Sequence, residues 1–437
     1  MKPLKDNSQV GDEYVNHSII LELMDRDLKD LERDNFVIFP PTVGESEDLD
    51  SENYIFKLHN KNVRTCNIVG ILKKGNEEIK ITSRFYNSTG GVDYFLRYLL
   101  QRVMNYNVVQ SRVNIDSEDS YYDLMAYLFP MYLNNAMQKG IYKKYVKRQY
   151  NNANVKGPID VSRHIKSNVP FIGNIAYRTR EFSHDNRVTQ LIRHALEKLQ
   201  LDYSFDFKAD ESSKENVRAI KRVTSSYSPL NRMDVLQENI LNPIRHGYFE
   251  EYYFLQKLCI QILREEKIGF GNEDDKVHGI IIDVAWLWEE YLNTILNGCF
   301  IHSENKRGKN GISIFDNRTR TVYPDFYSKD EEVVLDAKYK KMSEKSIDRE
   351  DLYQIISYLH VLESKKAGII YPDTESTKYD YMGTLKGFGG KIFKQSLKIP
   401  QEVETYPEFE SSMTQNEREL NSELKSYDST APSSVGC

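Results

Sequence analysis

Apolar and polar residues alternate in short runs over the first part of the chain, and then recur with a longer period. The alternation over residues 62–73 and 77–85 predicts two strands joined by a turn at 74–76. Residues 92–104 carry apolar side chains at the spacing of an amphipathic helix. These patterns predict a β-rich, α+β N-terminal domain over residues 1–109.

The middle of the chain has mostly helical patterns. Pro130 interrupts the first of them, and a proline inside a helix removes a backbone hydrogen bond, so a kink or a break is expected there. A short strand is predicted at 174–182. We therefore predict a mostly helical domain over residues 110–276. The helical patterns cover residues 121–145, 186–201 and 247–263.

In the last third of the chain, helical and strand patterns alternate. This alternation is typical of helices packed on a mixed sheet, so an α/β domain is predicted over residues 277–400. Residues 401–437 are rich in Ser, Glu and Asn and are predicted to form an acidic, disordered tail. The predicted helices are 283–296 and 349–362, and the predicted strands are 312–318, 320–327, 332–339 and 367–371.

The composition excludes several classes of protein. The 437 residues are enough for about two to four domains. The four cysteines are scattered and include no CxxC pair, which argues against a zinc site or a disulfide framework. No apolar run approaches the ~18–20 residues of a membrane span, and the first residues lack the apolar core of a signal peptide. We therefore expect a cytoplasmic protein with no membrane partner.

The net charge of −6 does not exclude a nucleic-acid partner. Residues 401–437 hold eight acidic and two basic side chains, so they account for all of this charge, and a polyanion responds to local patches. A basic run at 139–156 has tyrosines interleaved and no acidic side chain. Three explanations remain open for it: contact with DNA phosphates and bases, a solvated helix end, or contact with an acidic partner surface.

Three residues of the last predicted domain carry the candidate chemistry. Asp325 follows Pro324 on one predicted strand, and Asp336 and Lys338 lie on the next. Because side chains alternate along a strand, Asp336 and Lys338 project from the same face. The polar linker 328–331 predicts a tight antiparallel connection, so Asp325 is expected to meet Asp336 across the pair.

Two carboxylates beside an ammonium suit the hydrolysis of a phosphodiester. The carboxylates repel each other unless a hard cation lies between them, and Mg²⁺ binds one or two carboxylates together with water and phosphate. Such a cation activates a bound water, and Lys338 would stabilise the charge that develops on phosphorus. The same residues also meet by chance on solvated hairpins. The apolar run 333–335 directly before Asp336 favours a buried, functional carboxylate.

These residues resemble the PD-(D/E)XK nuclease superfamily, and two further segments fit its pattern. One is a glutamate on the helix before the sheet, Glu289, although the sequence leaves open whether Glu289 or Glu290 faces the metal. The other contains Gln354 and Tyr358, which are similar to the QxxxY motif of the RecB-like branch. Gln354 and Tyr358 are one turn apart and share a helix face.

The resemblance implies a C-terminal α/β PD-(D/E)XK fold with a mixed sheet, and it assigns roles to residues. Asp325, Asp336, the carbonyl of Ala337 and Glu289 are expected to bind Mg²⁺, with Mn²⁺ as an alternative. The catalytic residues implied are Asp325, Asp336, Lys338, Gln354 and Tyr358.

Longer segments are similar to McrC, the 5-methylcytosine restriction subunit, and to its LlaJI-like relatives. The segments LWEEYL, YPDF, VLDAKYK and DLYQIISY carry most of this resemblance, and residues 81–85, 94–98, 157–160 and 185–187 extend it upstream. Pro158 stands where the family pattern has arginine, which puts any role of that arginine in doubt. The resemblance implies a nuclease subunit that cleaves double-stranded DNA and docks through its N-terminal half on an McrB-like AAA+ GTPase hexamer. Residues 1–109 are the expected docking domain.

Two hypotheses follow. In the first, the chain is a Mg²⁺-dependent DNA endonuclease subunit of an McrBC-like restriction system that acts against phage. In the second, it is a catalytically silent adaptor or activator of an AAA+ motor. The intact set of Asp325, Asp336 and Lys338 favours the first. An exonuclease of the iron–sulfur kind is a weaker third hypothesis, because the clustered cysteines it needs are absent.

Overall fold

The structure, a computed structural model, describes residues 3–33, 36–40, 54–75, 77–86, 92–104, 120–202, 211–264, 277–303, 309–342, 346–387 and 389–426. The chain forms two compact units, and its sheets are mixed, so the fold is multidomain α+β. Unit 1 comprises Met1–Asn105, Ile115–Tyr121 and Phe270–Cys437, and unit 2 comprises Tyr106–Asn114 and Tyr122–Gly269.

Helices and strands occur in both units. In chain order, the helices are α1 (Asp12–Val15), α2 (Ser18–Leu23), α3 (Leu28–Arg33), α4 (Tyr94–Met104), α5 (Ser120–Met137), α6 (Val161–Ser167), α7 (Arg187–Asp202), α8 (Glu211–Val223), α9 (Arg232–Leu241), α10 (Glu250–Arg264), α11 (Val284–Leu296), α12 (Arg349–Val361) and α13 (Tyr406–Ser426). The strands are β1 (Leu4–Lys5), β2 (Phe36–Phe39), β3 (Phe56–His59), β4 (Asn62–Thr65), β5 (Ile68–Lys74), β6 (Glu77–Thr82), β7 (Lys144–Asn152), β8 (Ile175–Ser183), β9 (His278–Asp283), β10 (Phe300–His302), β11 (Ile312–Ser313), β12 (Thr321–Val322), β13 (Phe326–Ser328), β14 (Val333–Ala337), β15 (Lys366–Asp373), β16 (Lys378–Thr384) and β17 (Lys391–Lys398).

The first sheet of unit 1 has the strand order β1-β6-β5-β9-β2. Strand β5 is antiparallel to both β6 and β9, and β2 runs parallel to β9. Gly70 of β5 lies opposite Ile281, and a Cβ at Gly70 would lie 2.1 Å from the carbonyl oxygen of Ile280, so the close pairing requires glycine. The N-terminal sheet is therefore completed by a strand that follows unit 2 in the chain.

The second sheet of unit 1 has the strand order β10-β13-β14-β15-β17-β16. Strand β14 lies in its interior, antiparallel to β13 and parallel to β15. A parallel pair needs a crossover connection, and α12 provides it. Helix α12 packs Ile355 and Leu359 against Val334 and Ile369 of the sheet. Every residue of β14 is buried, so its functional side chains lie in a desolvated part of the unit.

The observed units differ from the predicted domains. Residues 1–109 and 277–400 are predicted as separate domains, but the described parts of both belong to unit 1, because β9 pairs with β5 and β2. The predicted middle domain, 110–276, corresponds closely to unit 2. The pattern of apolar and polar residues in β9 could not reveal which strands it pairs with, because its partners β5 and β2 are distant in the sequence.

The tail that the composition predicts to be disordered contains α13. Its side chains Phe409, Met413 and Leu420 are buried. Glu417, an acidic residue of the same helix, is also buried and accepts hydrogen bonds from the hydroxyls of Tyr98 and Tyr291, both at 2.7 Å. The prediction was wrong for this segment because composition averages over the two faces of an amphipathic helix. Residues 427–437 lie outside the described part of the chain.

Unit 2 combines helices with a two-stranded ribbon, in which β7 and β8 pair antiparallel along their whole length. The ribbon departs from the predicted mostly helical domain. The helical pattern at 121–145 ends early, because α5 stops at Met137 and Gly140 turns the chain with a φ of 88°. Pro130 lies inside α5, and the helix continues through it. None of the helices in the described part of the chain has the length and hydrophobicity that a membrane crossing requires.

The guanidinium of Arg84 contacts residues that belong to both sheets of unit 1. Arg84, just after β6, places its Nη2 2.5 Å from Oδ2 of the fully buried Asp6. The same guanidinium lies 4.5 Å from the ring centroid of Tyr339, just after β14. Burial raises the pKa of Asp6 to about 6, although Arg84 opposes the shift. The segment 81–85 therefore has a structural role beside the strand that carries the candidate site.

We expect the substitution Arg84→Met to lower the free energy of unfolding by roughly 3–5 kcal/mol, because it leaves a buried carboxylate without its partner. Without Arg84 the pKa of Asp6 should rise above its present value of about 6. A carboxyl whose folded pKa is raised gains stability as the pH falls through that value, so the loss should be smaller near pH 5 than near pH 8. Urea unfolding at both pH values, with exposed Arg320→Met as the control, tests this. A loss no larger than that of the control, or one independent of pH, would contradict it.

Candidate active site

The structure brings Asp325 and Asp336 together at one end of the β13–β14 pair. Phe326 lies opposite Leu335 in the antiparallel register, so Asp325 and Asp336 are the next residues to face each other. The backbone N–H of Ala337 donates to Oδ2 of Asp325 at 2.6 Å. Asp336 is only 1% exposed. The predicted meeting of the two aspartates across the strand pair is therefore observed.

Lys338, Gln354 and Tyr358 form a chain of contacts that leads away from Asp336. The ammonium of Lys338 lies 3.0 Å from Oδ2 of Asp336 and donates to Oε1 of Gln354 at 2.9 Å. Nε2 of Gln354 donates in turn to the hydroxyl of Tyr358 at 3.0 Å. These contacts arise because the crossover helix α12 presents Gln354 and Tyr358, one turn apart, to the end of β14.

The charges of this group are strongly coupled. Burial raises the pKa of Asp336 to about 7, and the negative charge of Asp325 adds to the shift, while Lys338 opposes it. Burial also raises the pKa of Asp325. Burial alone would lower the pKa of Lys338, but the charges of Asp336 and Asp325 outweigh it and raise that pKa above its ordinary value. Lys338 is therefore a permanent ammonium, whereas the two carboxyls favour sharing one proton.

A third carboxylate, Asp351, lies beside this group and was not predicted. It is buried on α12, and its Oδ2 pairs with the ammonium of Lys340 at 2.5 Å. The charge of Asp351 contributes to raising the pKa values of both Asp336 and Lys338. The sequence did contain a signal, because Asp351 precedes Gln354 by three residues and so lies on the same face of the helix.

His302 is a second unpredicted neighbour of the site. Its Nδ1 lies 2.8 Å from the carbonyl oxygen of Asp325, and its Nε2 lies 3.7 Å from Oε1 of Glu290. Burial alone would lower the pKa of His302, but Glu290 and the carbonyl of Asp325 raise it above its ordinary value. His302 could not be predicted from the sequence pattern, because it lies on β10, a strand that the pattern did not predict.

The residues fit a cation with few protein ligands rather than a closed metal cage. Among the described residues no group of three or more His, Cys, Asp or Glu side chains could hold a metal ion, so Glu289 does not join Asp325 and Asp336 in such a group. Mg²⁺ commonly uses only one or two carboxylates and completes its shell with water and phosphate. A cation would also relieve the repulsion between the half-buried Asp325 and the buried Asp336, whose pKa values are both raised.

The upstream motif residues in unit 2 have structural roles. Asp160 accepts from the backbone N–H of Arg163 at the start of α6 and pairs with Arg178 at 2.7 Å. Asp185 accepts from Nε2 of Gln190 and from the backbone N–H of Ser226, both at 2.8 Å. These contacts hold loops and helix ends together, which accounts for the motifs without a catalytic role.

The basic run at 139–156 is divided between structural and exposed positions. Lys139 pairs with Glu251 at 2.8 Å, and Arg148 pairs with Asp185 at 3.5 Å. Lys144 and Lys147 are exposed on β7. Because residues of this run form a strand, the explanation as a solvated helix end was wrong, and contact with DNA or with an acidic partner surface remain as alternatives.

In the metal-free chain, the raised pKa of Asp336 should make stability depend on pH. The carboxyl has an ordinary pKa of 3.8 and a folded pKa of about 7. The free energy of unfolding therefore falls as the pH rises between these values, by up to ~1.4 kcal/mol per pH unit from this group. Asp336→Asn removes this contribution. We expect urea unfolding in EDTA to show that the free energy of unfolding of Asp336→Asn rises relative to that of the wild type between about pH 5 and about pH 7. The exposed control Asp316→Asn should show no such change. Parallel curves for Asp336→Asn and the wild type would contradict the assignment.

The similarity of this chain to known proteins identifies its family. A family model described as McrBC 5-methylcytosine restriction system component matches residues 63–372. No curated protein matches the chain. The chain is similar in structure to a refined half-complex from a tetradecameric assembly of Thermococcus gammatolerans McrB AAA+ hexamers with bound McrC, with a TM-score of 0.51 and 13% identity over 97% of this chain and 99% of that chain. A cryo-EM structure of the Thermococcus gammatolerans McrBC complex is similar over 68% of this chain and 86% of that chain, with 15% identity and a TM-score of 0.32. The first match shows that the fold is shared. The TM-score of the second match is too low to support a conclusion.

Proposed function

Because the chain belongs to the McrBC 5-methylcytosine restriction system component family, we propose that it is the nuclease subunit of such a system and hydrolyses DNA phosphodiester bonds with Mg²⁺. The observation that carries the proposal is the buried group in which the ammonium of Lys338 lies 3.0 Å from Asp336 and Asp336 faces Asp325. The order of α11, the β13–β14 pair, the crossover α12 and parallel β15 supports a PD-(D/E)XK fold for this part of unit 1.

Asp325, Asp336 and the carbonyl oxygen of Ala337 would hold the cation, with Mn²⁺ able to replace Mg²⁺ because both prefer oxygen ligands. When bound, the cation supplies an acidified water and neutralises charge on the leaving oxygen. The chain itself contributes the orientation of the ligands. The N–H of Ala337 holds one oxygen of Asp325, so the other oxygen of that carboxylate can be directed towards Asp336.

Lys338 would stabilise the negative charge that develops on phosphorus. An ammonium has three N–H donors, of which Asp336 and Gln354 engage two, so one is left for a phosphate oxygen. Tyr358 holds the amide of Gln354 and thereby fixes which end of that amide faces Lys338. Gln354 and Tyr358 therefore position the ammonium, and Asp325, Asp336 and Lys338 carry the chemistry.

The expected substrate is double-stranded DNA, and the expected partner is an McrB-like AAA+ GTPase hexamer. The family assignment and the fold shared with a McrC bound to McrB hexamers support this partner. In such an assembly the partner recognises and translocates DNA, and this chain cuts it.

Substitution of the proposed catalytic residues should abolish cleavage. We expect Asp336→Ala and Lys338→Ala each to lower the rate of plasmid cleavage by the assembled complex with Mg²⁺ by at least ~100-fold, because each removes charge from the reacting centre. Gln354→Ala should lower the cleavage rate by about tenfold, since it removes only a hydrogen bond that positions the ammonium of Lys338. Exposed Asp316→Ala and Lys386→Ala are the matched controls and should cut normally.

The same assay separates the proposal from its alternative. Cleavage at the wild-type rate by both Asp336→Ala and Lys338→Ala would sink the nuclease assignment. If those variants still stimulated GTP hydrolysis by the partner, the chain would then be an adaptor or activator of the AAA+ motor that is itself catalytically silent.

Unit 2 carries the most exposed apolar surface in the described part of the chain, and we propose that the AAA+ partner binds there. The connection between β7 and β8 exposes seven large apolar side chains, whereas the described residues of the first 105 expose only Leu21 and Leu58. Large exposed apolar patches mark interaction sites. Docking through residues 1–109 stays a prediction. The surface of unit 2 is proposed in addition to it. The side chains are Val155, Ile159, Val161, Ile165, Val169, Phe171 and Ile172.

The double substitution Phe171→Ser with Ile172→Ser should weaken binding to an McrB-like AAA+ partner by at least ~10-fold, because each buried apolar side chain contributes roughly 1.5–3 kcal/mol. The melting temperature should not change, since both side chains are exposed. Leu230→Ser with Leu241→Ser, also exposed in unit 2, is the matched control. Calorimetric titration of the partner checks this, and equal affinity for both double variants would contradict the assignment.

A further inference from the structure

His302 is placed to fix the main chain of Asp325. It is the last residue of β10 and pairs with Phe326, the residue after Asp325. Its side chain is 8% exposed, and its ring stacks on that of Phe326 with centroids 4.9 Å apart. The ring therefore has little freedom to turn, and its Nδ1 is directed at the carbonyl oxygen of Asp325.

The polar contacts determine which atoms of the ring act. A carbonyl oxygen can only accept, so Nδ1 of His302 must donate to Asp325 over the observed 2.8 Å. The other ring nitrogen, Nε2, faces Oε1 of Glu290 at 3.7 Å. A carboxylate on one side and a carbonyl on the other thus hold the imidazole in a single orientation.

Glu290 of α11 supplies the carboxylate that faces His302. Its Oε1 lies 3.7 Å from Nε2 of the ring. The sequence pattern left open whether Glu289 or Glu290 faces the site, and this contact gives Glu290 a place beside it.

Asp325 is consequently anchored at two points by the strands on either side of it. The ring of His302 at 2.8 Å and the backbone N–H of Ser303 at 3.2 Å hold its carbonyl oxygen, and the N–H of Ala337 in β14 holds its carboxylate at 2.6 Å. A ligand fixed at both its backbone and its side chain loses less freedom when a cation binds than one that is free to turn.

We infer that Glu290 and His302 are positioning residues that hold Asp325 ready for the divalent cation, with Glu290 acting through His302 rather than as a ligand. The inference rests on the proposed metal-dependent nuclease function. Partners of this kind, behind a metal ligand, typically change metal affinity by about 10–100-fold when removed.

The test is Mn²⁺ binding to the full chain by calorimetric titration, with five variants. His302→Ala should weaken binding by about 10–100-fold. Asn places an amide N–H where Nδ1 lies and Gln places one where Nε2 lies, so His302→Asn should restore binding to within about threefold and His302→Gln should not. Glu290→Gln should weaken binding by about 3–10-fold, and exposed Asp316→Asn should leave it unchanged.

Cleavage gives a second readout that a merely structural role would not produce. For His302→Ala, the Mg²⁺ concentration at half-maximal cleavage should rise with the loss of affinity, whereas the rate at saturating Mg²⁺ should fall less than about threefold. If His302→Ala does not fold, the difference between the Asn and Gln variants decides the question alone.

The outcomes distinguish this inference from the function on which it rests. Wild-type Mn²⁺ affinity in His302→Ala or in His302→Gln, alongside lost binding in Asp336→Ala, would overturn the positioning role and leave the nuclease function standing. Wild-type Mn²⁺ affinity in Glu290→Gln, alongside lost binding in Asp336→Ala, would overturn the assignment of Glu290. Absence of Mn²⁺ binding and of cleavage by the wild type in its assembled complex would instead remove the nuclease function itself.

Discussion

Asp325 faces Asp336, whose side chain is almost completely buried, and like charges repel more strongly there than in water. A nearby cation or a proton can relieve this repulsion. Lys338 supplies one positive charge permanently, and burial keeps a proton on the pair near neutrality by raising the pKa of Asp336 to about 7. The need to keep the ammonium 3.0 Å from Asp336 explains why Gln354 and Tyr358 are tied to it, since each holds the next in place.

The segment after β14 shows how the rest of unit 1 holds the ammonium of Lys338 in place. Successive side chains turn to opposite sides of the extended chain, so Lys338 faces α12 while Tyr339 lies under the guanidinium of Arg84. Lys340 returns to α12 and pairs with Asp351. The position of the ammonium is thus fixed from the crossover helix on one side and from the N-terminal sheet on the other. This double attachment also explains why the two predicted domains form one unit.

Spacing along the sequence was sufficient for the local part of the site. Ten residues and a polar linker between Asp325 and Asp336 predicted an antiparallel pair, and the four-residue step from Gln354 to Tyr358 predicted a shared helix face. The contacts of His302 and Arg84 could not be predicted in this way. Both depend on which strands become neighbours, and strand pairing between distant segments is set by the packing of the whole unit rather than by local pattern.

Resemblance to the family motifs does not by itself show which carboxylates are functional. The upstream segments that match the family contain Asp160 and Asp185, yet each of these carboxylates is surrounded by hydrogen-bond donors from its own loop, helix end and neighbouring strand. A carboxylate satisfied in this way stabilises the fold and has no remaining demand for a cation. Asp336 differs, because its main neighbours are another carboxylate and a single ammonium. The balance of charge around each buried carboxylate, rather than its membership of a motif, therefore separates the residues that build unit 2 from those proposed to cut DNA.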